Sequence, residues 1–312
     1  MREIKFFIQC SILFLFFLLL AIDARSSQEE GDFAGDETCM ECHEDIYNGF
    51  WKDIHGVKSD PRTPAARNEE FVCESCHGPG AAHSETDGED PILSLKAKSP
   101  EPSQKKSGVC LKCHTKGKVV LWHSSEHETR GLSCGDCHSI HQENPKNLAK
   151  ATQIQVCTAC HQEIRPELLR QSHHPIREGK IKCSDCHNSH GTIADRLVDA
   201  QYINLKCFEC HAKTRGPYLW EHPPAVEDCL SCHKPHGSTH DFLLNAKPPY
   251  LCQRCHLNTI HSGINELQAR GPGEAGQSVY VALNNRAFYR GCLNCHSAVH
   301  GSNHPSGKAL TR

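Results

Sequence analysis

The chain is poor in the residues that build an ordinary core. Aromatic residues occupy 6% of its 312 positions and apolar residues of all kinds 38%, too few for a large interior of packed side chains. Methionine occurs twice, as Met1 and Met40. Basic residues are not in excess: 34 Lys and Arg stand against 37 Asp and Glu, a formal charge of −3. That balance excludes the electrostatic footprint of a nucleic-acid binder. Only one long apolar run exists, from Phe6 to Leu20. Behind Arg2 and Lys5, and closed by Asp23, it reads as a secretory signal peptide over residues 1–24, with cleavage after Ala24. The run is short for a membrane span, which takes roughly 20 apolar residues.

What the chain has instead is cysteine and histidine, 21 of one and 24 of the other. Twenty cysteines fall into ten copies of Cys-x-x-Cys-His. In chain order these are Cys39 and Cys42 with His43, Cys73 and Cys76 with His77, Cys110 and Cys113 with His114, Cys134 and Cys137 with His138, and Cys157 and Cys160 with His161. There follow Cys183 and Cys186 with His187, Cys207 and Cys210 with His211, Cys229 and Cys232 with His233, Cys252 and Cys255 with His256, and Cys292 and Cys295 with His296. The remaining cysteine, Cys10, lies in the signal segment, so the exported chain keeps no thiol for a disulfide or a nucleophile.

A CxxC pair alone also serves zinc ribbons and redox dithiols. With His in the next position it reads as the attachment site of a c-type haem, two thiols bonding the porphyrin and the histidine becoming the proximal iron ligand. A zinc site needs two CxxC pairs to converge and gives no reason for a fifth-position histidine. The cofactors expected are therefore ten covalently attached c-type haems. Roughly thirty residues per motif leave the porphyrins themselves to supply the apolar interior, so folding should depend on them.

Fourteen histidines remain beyond the proximal ten, and every interval after a motif contains at least one. The distal set expected is His55, His83, His127, His141, His174, His190, His222, His236, His261 and His300. His127 and His174 are preferred to His123 and His173 because each follows a Ser-x-His step, and His240 and His304 complete the spares. Met40 is trapped inside a motif, which leaves bis-histidine or open coordination and no methionine to raise the potential. The distal histidine follows odd motifs at a distance, as His55, His127, His174 and His222, with His261 an exception. It follows even motifs closely, as His83, His141, His190, His236 and His300. Histidines three or four residues apart share one face of a helix, so His138 and His141 should not share an iron. Each near histidine should ligate a neighbouring haem, the previous member of its pair, and each far one the even haem.

The architecture expected is mainly short α-helices and loops wrapped on a haem chain, elongated, with little or no β. Residues 25–38 are a polar, flexible lead-in. The first helix runs from Cys39 toward His55, with Ile46, Phe50, Trp51 and Ile54 on its apolar face, until Pro61 and Pro64 break it. Residues 90–108 read as a solvated surface connection. From Cys110 to Cys252 the motif starts recur every 22 to 26 residues, a repeat of one haem unit. Residues 271–277 form a Gly-rich loop and 278–283 a short strand.

Several stretches carry a resemblance: Ser172-His173-His174-Pro175, Cys186-His187-Asn188-Ser189-His190-Gly191, Leu219-Trp220-Glu221-His222-Pro223-Pro224, and Gly301-Ser302-Asn303-His304-Pro305. They resemble the decahaem cytochromes of the MtrA/DmsE type. The resemblance implies two five-haem modules, here 39–161 and 162–312. It implies a periplasmic protein associated with the outer membrane, an electron-transfer role and no catalysis. The implied partners are an outer-membrane porin-like β-barrel, an outer-surface multihaem cytochrome, and periplasmic or inner-membrane electron-transfer cytochromes. The other readings are a soluble periplasmic carrier and a multihaem reductase of a small nitrogen or sulfur compound.

Overall fold

Helices in this chain are short because motifs, prolines and glycines interrupt them every few residues. The computed structural model describes residues 31–96, 98–141, 150–256 and 291–311. The signal segment with Cys10, the start of the lead-in, His261, the Gly-rich stretch at 271–277 and the strand expected at 278–283 lie outside the described residues. Backbone contacts divide the chain into two units, Met1–Cys110 with Ser139–Glu143, and Leu111–His138 with Asn144–Arg312.

The longest described helix, Asp36–Phe50, bends at His43, whose backbone leaves the helical region (φ −118°, ψ 41°). It starts two residues before the expected end of the lead-in and stops short of His55. The chain re-forms as a separate 3₁₀ turn at Ile54–Gly56, capped by the Asp53 side chain. A second difference lies in 90–108. Its Lys- and Ser-rich end is the helix Ser103–Leu111, which buries Lys106 and Ser107 and delivers Cys110. Composition suggested solvent there, but the segment occupies the place of the helix that precedes every other odd motif. Among the described residues the sheet is Trp220–Glu221 against Gly301–Ser302, antiparallel, with Trp220 opposite Ser302.

The motifs come in two conformations that alternate along the chain. Odd motifs ride on α-helices: Asp36–Phe50, Ser103–Leu111, Lys150–Cys157, Ile203–Phe208 and Tyr250–Gln253. The later even motifs open a single 3₁₀ turn at their first cysteine, at Cys134–Asp136, Cys183–Asp185, Cys229–Ser231 and Cys292–Asn294. In both forms the motif histidine donates its N–H to the carbonyl of the first cysteine, as His187 to Cys183 and His211 to Cys207, at 3.0 and 2.9 Å. That one bond closes a turn and fixes both sulfurs on the same side as the imidazole.

Side chains contribute little interior. Phe50, Ala65 and Val72 form a small cluster with Trp51 and Ile140 packed on it. Ile193, Phe242 and Leu219 are 82%, 79% and 70% exposed to the protein-only surface, so apolar side chains are present but do not pack on one another.

Close approaches are made where glycine follows a near histidine. A Cβ on Gly191 would lie 2.2 Å from the Leu121 carbonyl oxygen, on Gly237 1.9 Å from that of Glu167, and on Gly301 2.2 Å from the Tyr218 ring. In the first unit the glycine is on the other partner: Gly49 meets the carbonyl of His141. Overpacking of this kind costs about 1–3 kcal/mol. Gly237→Ala should therefore destabilise the haem-loaded protein by about 1–3 kcal/mol and lower its thermal midpoint. Gly108→Ala, in a helix with nothing within 4 Å of the added carbon, should be neutral or gain up to about 1 kcal/mol. Calorimetry on the pair of variants checks it.

Candidate haem-ligand sites

Imidazole carries one nitrogen beside the backbone, Nδ1, and one at its far end, Nε2. In eight of the candidate ligands Nδ1 is committed to a backbone carbonyl. His77, His187, His233 and His296 meet the oxygens of Leu93, Arg196, Phe242 and Ala309 at 2.5–2.9 Å. His83, His127, His174 and His222 meet those of Asp90, Ser189, Pro235 and Val299 at 2.6–2.9 Å. A carbonyl only accepts, so the proton sits on Nδ1 and the Nε2 lone pair is left for a metal. Two of these carbonyls are aimed by backbone that bulky residues seldom adopt. Arg196 and Phe242 have φ of 59° and 58°, and the residues after them, Leu197 and Leu243, 55° and 59°. Such conformations persist only where the surroundings demand them.

With Nδ1 held, the rings face one another in pairs. His43 stands opposite His83, His77 opposite His141, His138 opposite His190 and His127 opposite His161, with centroids 6.4, 6.2, 6.0 and 6.1 Å apart. His174 faces His211, His187 faces His236, His222 faces His256 and His233 faces His300, at 6.1, 6.0, 6.3 and 6.2 Å. Two metal–nitrogen bonds of about 2 Å plus half a ring on each side give about 6 Å. Each pair joins one motif histidine to one member of the expected distal set.

His83 faces the motif just before its own, as expected, but elsewhere the step between partners differs. His141, His190, His236 and His300 do not reach the motif just before their own; they face His77, His138, His187 and His233, one even motif back. His127, His174 and His222 face the next odd motif, at His161, His211 and His256. No near pair such as His138 with His141 shares a partner. The reason is the glycine approach described above. It lays each far histidine alongside a later near one, and the far ring's Nδ1 bonds the carbonyl just before that near histidine: Ser189 before His190, Pro235 before His236, Val299 before His300.

Burial pushes His141, His190, His236 and His300 below the usual histidine range, with neighbouring imidazoles adding to it. They are neutral at pH 7, the state a metal requires. His173 does the opposite. Its Nε2 lies 3.1 Å from Glu178 and its Nδ1 2.6 Å from the Arg170 carbonyl, and the glutamate raises its affinity for a proton. His304 Nδ1 takes the N–H of Ser306, and His123 is exposed beside Glu128. Among the described residues His123, His173, His240 and His304 enter none of the ring pairs above. His55 is held by Asp53, and His261 lies outside the described residues.

The thiols are placed as consistently. Hydrogen bonds link the first cysteines of adjacent motifs, Cys39 with Cys73, Cys157 with Cys183 and Cys207 with Cys229, and Cys252 stands beside Cys292. The shared proton splits such a pair: Cys157 is pushed up and Cys183 falls to about 7. Between these pairs Cys137 lies near Cys160, Cys186 near Cys207, and Cys232 near Cys255.

Buried polar side chains, absent from any motif, make this adjacency. Three or four residues before an odd motif, Asp36 accepts from the N–H groups of Val72 and Cys73. Gln153 bonds the N–H and hydroxyl of Ser184. Asn204, fully buried, accepts from Cys229 N–H and donates to Val226 O. Each ties an odd helix to the first turn of the next even motif. Sequence reasoning missed all three; their recurrence before Cys39, Cys157 and Cys207 was the available signal.

A haem also brings carboxylates. The indole N–H of Trp122 is buried, finds no acceptor among the described residues, and belongs to a ring 6.3 Å from that of His190. A propionate is an acceptor it can use, so paired imidazoles, paired thiols and the orphan donor fit the group.

The sequence is similar to known c-type cytochromes. A family model described as the doubled CXXCH motif matches residues 173–216 and 222–261. A model for NrfB-like c-type cytochromes matches 73–160, and one for cytochrome c554 and c-prime matches 21–78. The multiheme cytochrome MtrA of Shewanella baltica (strain OS185) is 38% identical over 287 residues, covering 91% of this chain and 84% of that protein.

Replacing Asn204 with Ala should strand the Cys229 N–H and the Val226 carbonyl, at about 1–3 kcal/mol each for a buried unpaired group. Asn204→Asp keeps the acceptor and should lie between. Thermal unfolding, with exchange of the Cys229 amide, measures both.

Proposed function

Because the chain belongs to the MtrA-type multihaem c-type cytochromes, we propose that its ten motifs hold ten haems and that it conducts electrons between periplasm and cell exterior within an outer-membrane β-barrel. As a multihaem electron-transfer cytochrome it carries covalently bound c-type haems. The count, the ligands and the conduit role are the parts proposed. Thioethers form at the twenty motif cysteines. The axial pairs are those of the facing rings, with His55 and His261 completing the distal set. Reversible one-electron iron chemistry is what the haems supply, and bis-histidine ligation keeps it at low potential.

The observation that carries the reading is the thiol adjacency. First cysteines meet within the pairs starting at Cys39, Cys157, Cys207 and Cys252, and other cysteines meet between pairs from Cys137 to Cys160 onward. Attachment points that neighbour one another in chain order over these stretches suit transfer along a line. The Cys157–Cys183 contact spans the boundary between the proposed modules 39–161 and 162–312, so the line continues across it. Eight opposed imidazole pairs favour saturated irons over the open site that a reductase needs.

Two measurements test this. Carbon monoxide should barely alter the reduced wild-type spectrum. His236→Ala should acquire a response at about one haem in ten, and His173→Ala none. A strong wild-type response would revive the reductase. Detergent extraction of tagged protein from isolated envelopes should bring down a large porin-like β-barrel in near-equal amount. Recovery in the periplasmic wash without a barrel would identify a soluble carrier.

A further inference from the structure

Among the proposed ligands whose hydrogen bonds are described, one is set apart by what holds it. The backbone-side nitrogens of eight meet neutral backbone carbonyls, and that of His190 approaches the amide oxygen of Asn188 at 3.3 Å. His55 Nδ1 instead lies 2.6 Å from Oδ1 of Asp53. The other carboxylates beside proposed ligands, Glu167 at His236 and Glu163 at His161, stand off at 3.5 Å. Their side chains are 25% and 70% exposed, against 7% for Asp53.

The local sequence builds the contact. Asp53 is extended and caps the Ile54–Gly56 turn, its Oδ1 also accepting the backbone N–H of His55 at 3.0 Å. One oxygen thus holds the residue by its main chain and its ring, and the ring cannot turn without giving up its own bond to that oxygen. Burial leaves the carboxylate weakly screened by water. A carboxylate on the outer nitrogen of a metal-bound imidazole makes that ligand more basic than a carbonyl does. A more basic ligand stabilises ferric over ferrous iron.

We infer that Asp53 is a potential-setting residue, which makes the haem ligated by His55 more reducing than those whose described ligands are held by backbone carbonyls. This rests on the assignment of His55 as an axial ligand. The couple it biases is Fe(III) plus one electron to Fe(II), with the proton remaining on Nδ1, shared toward the carboxylate in both states.

The test uses the full haem-loaded protein, titrated electrochemically while absorbance and low-temperature electron paramagnetic resonance are recorded. Asp53→Asn is the informative variant, since an asparagine oxygen still accepts both His55 bonds and only the charge is lost. One low-potential component should move upward, by roughly a tenfold change in its reduced-to-oxidised ratio at fixed potential, about 59 mV for a one-electron couple. Most of the others should stay, and the shifted haem should remain low-spin. His55→Ala runs beside it and should yield one high-spin, carbon-monoxide-binding haem. An unchanged titration in Asp53→Asn, with that new haem present in His55→Ala, overturns the inference and leaves the ligand assignment standing. A His55→Ala protein with every haem still low-spin overturns the assignment, and the inference with it. Altered melting without altered potentials in Asp53→Asn reduces the aspartate to a capping role.

Discussion

Nearly everything in this structure depends on keeping one imidazole nitrogen occupied so that the other is presented. A free histidine ring turns about two bonds and exchanges its proton between nitrogens. Here a carbonyl, or in one case a carboxylate, is placed against Nδ1 and removes both freedoms at once. Turns that look irregular in isolation acquire a purpose under this constraint. The left-handed residues at Arg196 and Phe242 place a carbonyl where a regular helix would not. The sequence patterns Asp195-Arg196-Leu197 and Asp241-Phe242-Leu243 are two copies of one such device.

A second consequence concerns cohesion. A chain with so few buried apolar side chains cannot rely on a continuous core. It is stitched instead: rings from different motifs face one another, first cysteines of neighbouring motifs lie side by side, and Asp36, Gln153 and Asn204 bind three of the odd helices to the turn that follows. Each stitch is short in space and moderate in sequence, so the fold is an overlapping series of small closures. Glycines at 191, 237 and 301 set how closely the strips of backbone may lie.

The composition and the motifs were legible in the sequence, because haem chemistry fixes residue types and their local spacing, and eight of the ten expected distal histidines stand opposite a motif histidine. The partner of each distal histidine was not. Helical geometry correctly separated His138 from His141, but the distance from a motif to a histidine says nothing of which ring will face it. That depends on the approach of Gly191 to Leu121 and of Gly237 to Glu167, contacts between segments with no shared pattern. Similarly, Ser103–Leu111 read as a solvated linker because its residues are polar. Its burial follows from its place ahead of Cys110, which only comparison with the other odd helices brings out.

The two-motif step also orders the maturation of the chain in time. A polypeptide entering the periplasm N-terminus first exposes its ligands in sequence. On the pairing described above, the haems at Cys157, Cys207 and Cys252 find their sixth ligands, His127, His174 and His222, already exported. Those at Cys73, Cys134, Cys183 and Cys229 must wait for His141, His190, His236 and His300, each carried by a later stretch. On the proposed location and ligation, vectorial secretion would produce two populations during biogenesis, one sealed on attachment and one transiently five-coordinate. The second is open to oxygen and small diffusible ligands until the next stretch of chain arrives to close it.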